Sequence, residues 1–92
     1  MLFHIKFKFS PEVRNATYDQ FIETGGLPPE GARMVARYHD IPALEGYLIA
    51  EADSVALIAK WLAEWNDKLI FETVPVIEDE EAAEVVKAAR GV

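Results

Sequence analysis

Leu2-Phe3-His4-Ile5-Lys6-Phe7-Lys8-Phe9 alternates from end to end. On an extended chain Phe3, Ile5, Phe7 and Phe9 fall on one side, and Leu2, His4, Lys6 and Lys8 on the other. A row built only of phenylalanine and isoleucine has to be covered, whereas a row holding a histidine and two lysines does not. The stretch is predicted to be a strand with one buried face. Helices must then lie over the phenylalanine side, and the His4/Lys6 side is the face they leave bare.

The rest of the chain supplies those helices. Ser10-Pro11 reads as an N-cap followed by proline in the first helical turn. The helix is predicted to run to about Glu23, with Val13, Thr17, Tyr18, Phe21 and Ile22 as its inner stripe, and Gly25-Gly26 ends it. Leu27-Pro28-Pro29-Glu30-Gly31 cannot continue a helix and forms a stiff connector. A second strand is expected over Ala32–His39, a turn at Asp40-Ile41-Pro42-Ala43, and a third strand over Gly46–Glu51. Asp53 or Ser54 caps a second helix reaching Trp65, with Val55, Ile58, Leu62 and Trp65 at helical spacing. A fourth strand covers Lys68–Ile77, and Pro75 near its end suggests an edge position or a bulge. Asp79, Glu80 and Glu81 favour a helix start, and Ala82, Val85, Val86 and Ala89 form a narrow apolar stripe on the helix that follows.

The predicted order is strand, helix, strand, strand, helix, strand, short helix. Two split βαβ units of this kind give an α+β, ferredoxin-like domain spanning residues 1–92, with a four-stranded antiparallel sheet and both long helices on one face.

Composition bounds the function. The 92 residues are 51% apolar and contain no cysteine, which removes disulfides, thiolate metal sites and thiol nucleophiles. That composition fits a cytoplasmic setting. The net charge of −7 repels a phosphate backbone and an anionic lipid surface, so neither nucleic acid nor membrane is an expected partner. The N-terminal stretch lacks the apolar core of a signal peptide, and Glu51, Asp53 and Lys60 interrupt the most apolar segment, Gly46–Trp65.

Met1-Leu2-Phe3, the Trp61-x-x-x-Trp65 pair and Phe71-Glu72-x-x-Pro75-Val76 together resemble an uncharacterised bacterial family of roughly hundred-residue domains in the dimeric α/β-barrel superfamily. The resemblance covers nearly the whole chain. It departs from the family pattern in the first strand, where Lys6 and Lys8 occupy positions that are usually more apolar or acidic. The resemblance implies two ferredoxin-like sheets facing each other across a homodimer. The superfamily includes cofactor-free monooxygenases, haem-degrading enzymes, stress-response proteins and ligand-binding modules.

The bare face is where a site is expected. Alternation places Tyr47, Ile49 and Glu51 of the third strand there, with Ile70, Glu72, Val74 and Val76 of the fourth and Arg33, Val35, Arg37 and His39 of the second. His4, Lys6, Arg37, Tyr47, Glu51 and Glu72 are the candidate ligand-binding residues, framed by apolar side chains as ligand sites usually are. The plainer reading of the same face is a Lys6–Glu72 ion pair at a subunit interface.

Other features read as structure. His4 could serve as a proton shuttle or haem ligand but has no orienting partner or second histidine at ligand spacing, His39 lies beside a turn, and two distant histidines do not make a metal site. Trp61 and Trp65 read as core. Glu78-Asp79-Glu80-Glu81 lacks the glycine and alternating oxygen ligands of a calcium loop. Gly25-Gly26 is not a phosphate loop, and Ser10 and Ser54 sit at caps.

The sequence offers acid and base candidates without a catalytic constellation. It therefore reads as a cofactor-free, non-catalytic binding or structural module that pairs with itself through the sheet. A small apolar or amphipathic molecule between the facing sheets is the expected ligand. The alternative is a cofactor-free or haem-dependent oxygenase-type enzyme using His4 with Tyr47 or Glu72.

Overall fold

A computed structural model describes residues 1–91. The elements are β1 (Leu2–Lys8), α1 (Pro11–Thr24), β2 (Ala32–His39), β3 (Glu45–Ala52), α2 (Val55–Ala63), β4 (Ile70–Val76) and α3 (Asp79–Arg90). The strands form one antiparallel sheet in the order β2-β3-β1-β4, the ferredoxin-like arrangement. β1 is central and β4 lies at an edge, the position where a strand tolerates a proline such as Pro75.

The alternation of β1 is realised in full. Phe3, Ile5, Phe7 and the following Phe9 are buried, together with Leu48, Ala50 and Ala52 of β3 and Ile58, Trp61, Trp65 and Leu69 from the α2 side. Val13, Tyr18 and Phe21 of α1 pack against this cluster, and Thr17 is buried with its hydroxyl donating to the Val13 carbonyl. Ile22, expected on the inner stripe, points to solvent and is 79% exposed. Tyr18 and Phe21 already fill the face of α1 that meets the sheet, and the next residue is rotated about 100° away.

The helix ends follow their sequence signals in part: Ser10 stands at the N-cap of α1 but makes no side-chain cap bond. Gly25 takes the left-handed conformation at φ 73° and donates its N–H to the Phe21 carbonyl. Ser54 rather than Asp53 caps α2, its Oγ accepting from the Leu57 N–H at 3.3 Å. α2 ends at Ala63, and turns carry the chain through Trp65 to Leu69. Both tryptophans belong to the core.

α3 differs from the other helices because it buries none of its residues. The molecule measures 53 × 28 × 18 Å, and its radius of gyration is 15.5 Å. A compact chain of this length has a radius near ~12 Å.

Candidate functional site

The bare face is assembled by strand register. Across β1 and β3, His4 lies opposite Ile49, Lys6 opposite Tyr47 and Leu2 opposite Glu51. Across β1 and β4, His4 lies opposite Val74, Lys6 opposite Glu72 and Leu2 opposite Val76. Directly paired residues share a face, so five of the expected residues, His4, Lys6, Tyr47, Glu51 and Glu72, stand together on the side without helices.

Arg37 does not join them. β2 pairs with β3 through Arg33–Glu51 and Met34–Ala50, and then resumes at Ala36–Ile49, Arg37–Leu48, Tyr38–Tyr47 and His39–Gly46. The shift between Met34 and Ala36 sets two residues of β2 against one of β3, and a bulge of this kind reverses the parity of everything beyond it. Arg37 and His39 therefore turn to the helix side, and Tyr38 takes the bare-face position. Tyr38 is the site residue that strict alternation misses. The unbroken apolar run Met34-Val35-Ala36, which spoils the period of two, is the signal of the bulge.

The rings on the bare face form a row. His4 stacks on Tyr47 with centroids 5.5 Å apart and planes 20° from parallel, and Tyr38 lies 5.4 Å beyond Tyr47 at 39°. These are the separations of favourable offset aromatic contacts. Tyr38 and Tyr47 remain 57% and 46% exposed, so the row is open to a partner. It borders a hollow of about 420 Å³ reached also by Lys6, Asp40 and Glu45. Arg33 meets Glu51 at 3.5 Å on the exposed surface. Lys6 is in register with Glu72, but among the described residues neither forms an ion pair. His4 likewise makes no side-chain hydrogen bond among the described residues. The face thus offers a flat stacking surface, a free ammonium and a free carboxylate, with aliphatic side chains around them. Among the described residues no hydrogen bond fixes the tautomer of His4.

Arg37 has a structural task. Its Nη1 donates to the Gly26 carbonyl at 2.9 Å and its Nη2 to the Gly25 carbonyl at 3.0 Å, which satisfies carbonyls at the end of α1. The guanidinium lies 4.8 Å from the centroid of Phe21, and burial lowers its pKa from the ordinary arginine value. His39 shares a 2.9 Å hydrogen bond with the Tyr18 hydroxyl and touches the rings of Phe7 and Phe21. Burial holds its imidazole below the usual histidine value, the neighbouring Arg37 adds to this, and Asp40 opposes it. Burial also raises the Tyr18 hydroxyl. These groups rim an apolar cavity of about 50 Å³ between the helices and the sheet. That space is far smaller than the ~300 Å³ at which small-molecule sites begin.

Among the described residues no cluster of histidine and acidic side chains could hold a metal ion. No described helix is long and apolar enough to cross a membrane.

Residues 1–90 match the family model described as Domain of unknown function (DUF3303), and the chain belongs to that family. No curated protein matches it.

Proposed function

For this member of the DUF3303 family, we propose a non-catalytic binding module that works as a homodimer, its two bare sheet faces opposed and a small flat amphipathic molecule held between them. The reading places it in the cytoplasm, with neither nucleic acid nor membrane as partner. One observation carries it. Ile49, Ile70, Val74 and Val76 surround His4, Lys6 and Tyr47 on a face that none of the described helices covers. Soluble monomers rarely expose contiguous apolar patches beyond a few hundred Å² (~300–600 Å²). A two-fold axis would set the patch against its copy, which is also what the resemblance to the dimeric α/β-barrel superfamily implies. The stacked row of His4, Tyr47 and Tyr38 favours a planar ligand, and Lys6 and Glu72 favour polar ends on it. The unanchored His4 supports a binding role over an oxygenase-type reaction.

Sedimentation equilibrium tests the reading. The wild type is expected to be a dimer at tens of micromolar. Val74→Asp, which sets a carboxylate in the middle of the apposed faces, is expected to give folded monomers. A wild-type monomer sinks both the dimer and the pocket. Native mass spectrometry and a visible absorption spectrum of the purified protein then report a retained ligand. A haem or flavin band would favour the enzyme reading.

A further inference from the structure

We propose that α3 is an intermolecular arm whose Ala82-Val85-Val86-Ala89 stripe packs against a second copy of this chain. The inference adds a second contact to the sheet-face dimer and rests on that dimer. Four observations lead to it.

The first is that α3 is unsupported at home. It buries no residue, and Val85 and Val86 are 54% and 47% exposed. A helix of 12 residues is at the length where isolated helices are marginal in water, ~12–15 residues. Its one ion pair among the described residues, Glu84–Lys87 at 3.9 Å, is exposed and contributes little.

The second is the way the helix is turned. Glu80, Glu81 and Glu84 line the groove that α3 makes with Leu2 and Val76 at the end of its own sheet. Glu80 and Glu84 stand on the opposite side of the helix from the apolar stripe. The groove thus lies on the carboxylate side of α3, and of the stripe only Ala82 is half-buried while Val85 and Val86 stay exposed.

The third is size. A helix of this length is about 18 Å long, so its stripe supplies only part of the ~800 Å² per partner that a stable interface buries. The stripe needs an occupant that also covers a larger adjoining surface. Only Ile77 and Glu78 separate α3 from β4, whose Val74 and Val76 belong to the uncovered sheet face, and Ile77 is itself 49% exposed. One two-fold contact can cover both surfaces reciprocally, because each copy has the same two to offer.

The fourth is charge. Lys6 and Lys8 on the bare face form no ion pair among the described residues, and Asp79 and Glu81 flank the stripe in the first turn of α3. Leu2 and Val76 mark the α3 end of the sheet and Lys8 and Ile70 the other, so a two-fold axis running across the strands would set the α3 end of one copy over the Lys8 end of the other. An acidic arm on a copy with a net charge of −7 is tolerated there because it meets the lysines.

The full chain tests this with two variants and one labelling experiment. The double variant Val85→Asp/Val86→Asp is expected to weaken the dimer about 100-fold or more in sedimentation equilibrium, while the β-sheet circular dichroism and the tryptophan emission stay native. Hydrogen exchange of the α3 amides is expected to slow with rising protein concentration, and to be fast at every concentration in monomeric Val74→Asp. If Val74→Asp gives monomers while the double variant dimerises like wild type, the arm is refuted and the sheet interface stands. If α3 stays protected in monomeric Val74→Asp, the stripe is covered within its own chain and the arm is likewise refuted. A monomeric wild type with fast-exchanging α3 overturns the sheet dimer and the arm together.

Discussion

Gly46 is the position at which one added methyl should do the most damage to the candidate site. It lies in β3 opposite Phe7 of β1 and His39 of β2, under the row of rings. Its φ is not positive, so alanine introduces no backbone strain of its own. A Cβ at Gly46 would overlap the Tyr38 carbonyl oxygen and come within 2.6 Å of Phe7 Cζ. Ordinary contact is 3.4–4 Å. Overpacking of a well-filled interior costs about 1–3 kcal/mol. The upper half of that range applies here because the nearest obstacle is backbone, which cannot rotate away as a side-chain end can. We expect Gly46→Ala to lose about 2–3 kcal/mol, a drop in Tm of roughly 10–20 °C for a domain of this size. Urea unfolding followed through the buried Trp61 and Trp65 measures it. Phe7→Leu separates the two obstacles. If the carbonyl dominates, Phe7→Leu/Gly46→Ala is at least as unstable as the two single losses added, whereas a recovered double variant would blame the ring. A Gly46→Ala loss below about 0.5 kcal/mol, inside the range of ordinary surface changes, would falsify the packing argument at the β2–β3–β1 junction.

Three further outcomes follow from local geometry. Ser54→Ala, which removes the acceptor of the Leu57 N–H, should cost about 1 kcal/mol in thermal unfolding, whereas Ser10→Ala, where no side-chain cap bond exists, should cost clearly less. The imidazole of His39 is held below its ordinary value, so between that lowered value and ~6.5 the unfolded chain binds the extra proton. Its contribution to stability is therefore complete above pH ~6.5 and is lost as the pH falls through the folded value, and His39→Gln should flatten that part of the stability–pH curve. Ile22→Glu should leave stability within about 0.5 kcal/mol of wild type, since Ile22 is 79% exposed, and a larger loss would restore it to the inner stripe.

Much of the candidate site is legible in one strand. The buried row Phe3, Ile5 and Phe7 forces His4 and Lys6 outward, and antiparallel pairing then carries Tyr47, Glu51 and Glu72 to the same face without further information. Arg37 shows where that reasoning stops. Alternation is a parity argument, and one extra residue between Met34 and Ala36 reverses it for the rest of β2. Tyr38 then replaces Arg37 on the bare face. Arg37 becomes the group that closes α1 through the Gly25 and Gly26 carbonyls.

The sequence by itself determined the element order, the antiparallel ferredoxin-like sheet and the core around Phe3, Ile5, Trp61 and Trp65, and the strand order then chose the edge over a bulge for Pro75. The first three follow from local periodicity, from glycine and proline, or from caps, and such signals act within a few residues. Only the tertiary structure decided the facing of Arg37 and His39, the exposure of Ile22 and the orientation of α3. The first depends on the extra residue between Met34 and Ala36, and the others on how much of the sheet α1 and α2 already cover and on which side of a helix meets it. The stripe of α3 is as regular in sequence as that of a packed helix, and no periodicity says whether its cover lies in the same chain. With the helix face of the sheet filled by α1 and α2, and the groove at the end of the sheet on the acidic side of α3, the valines are left exposed.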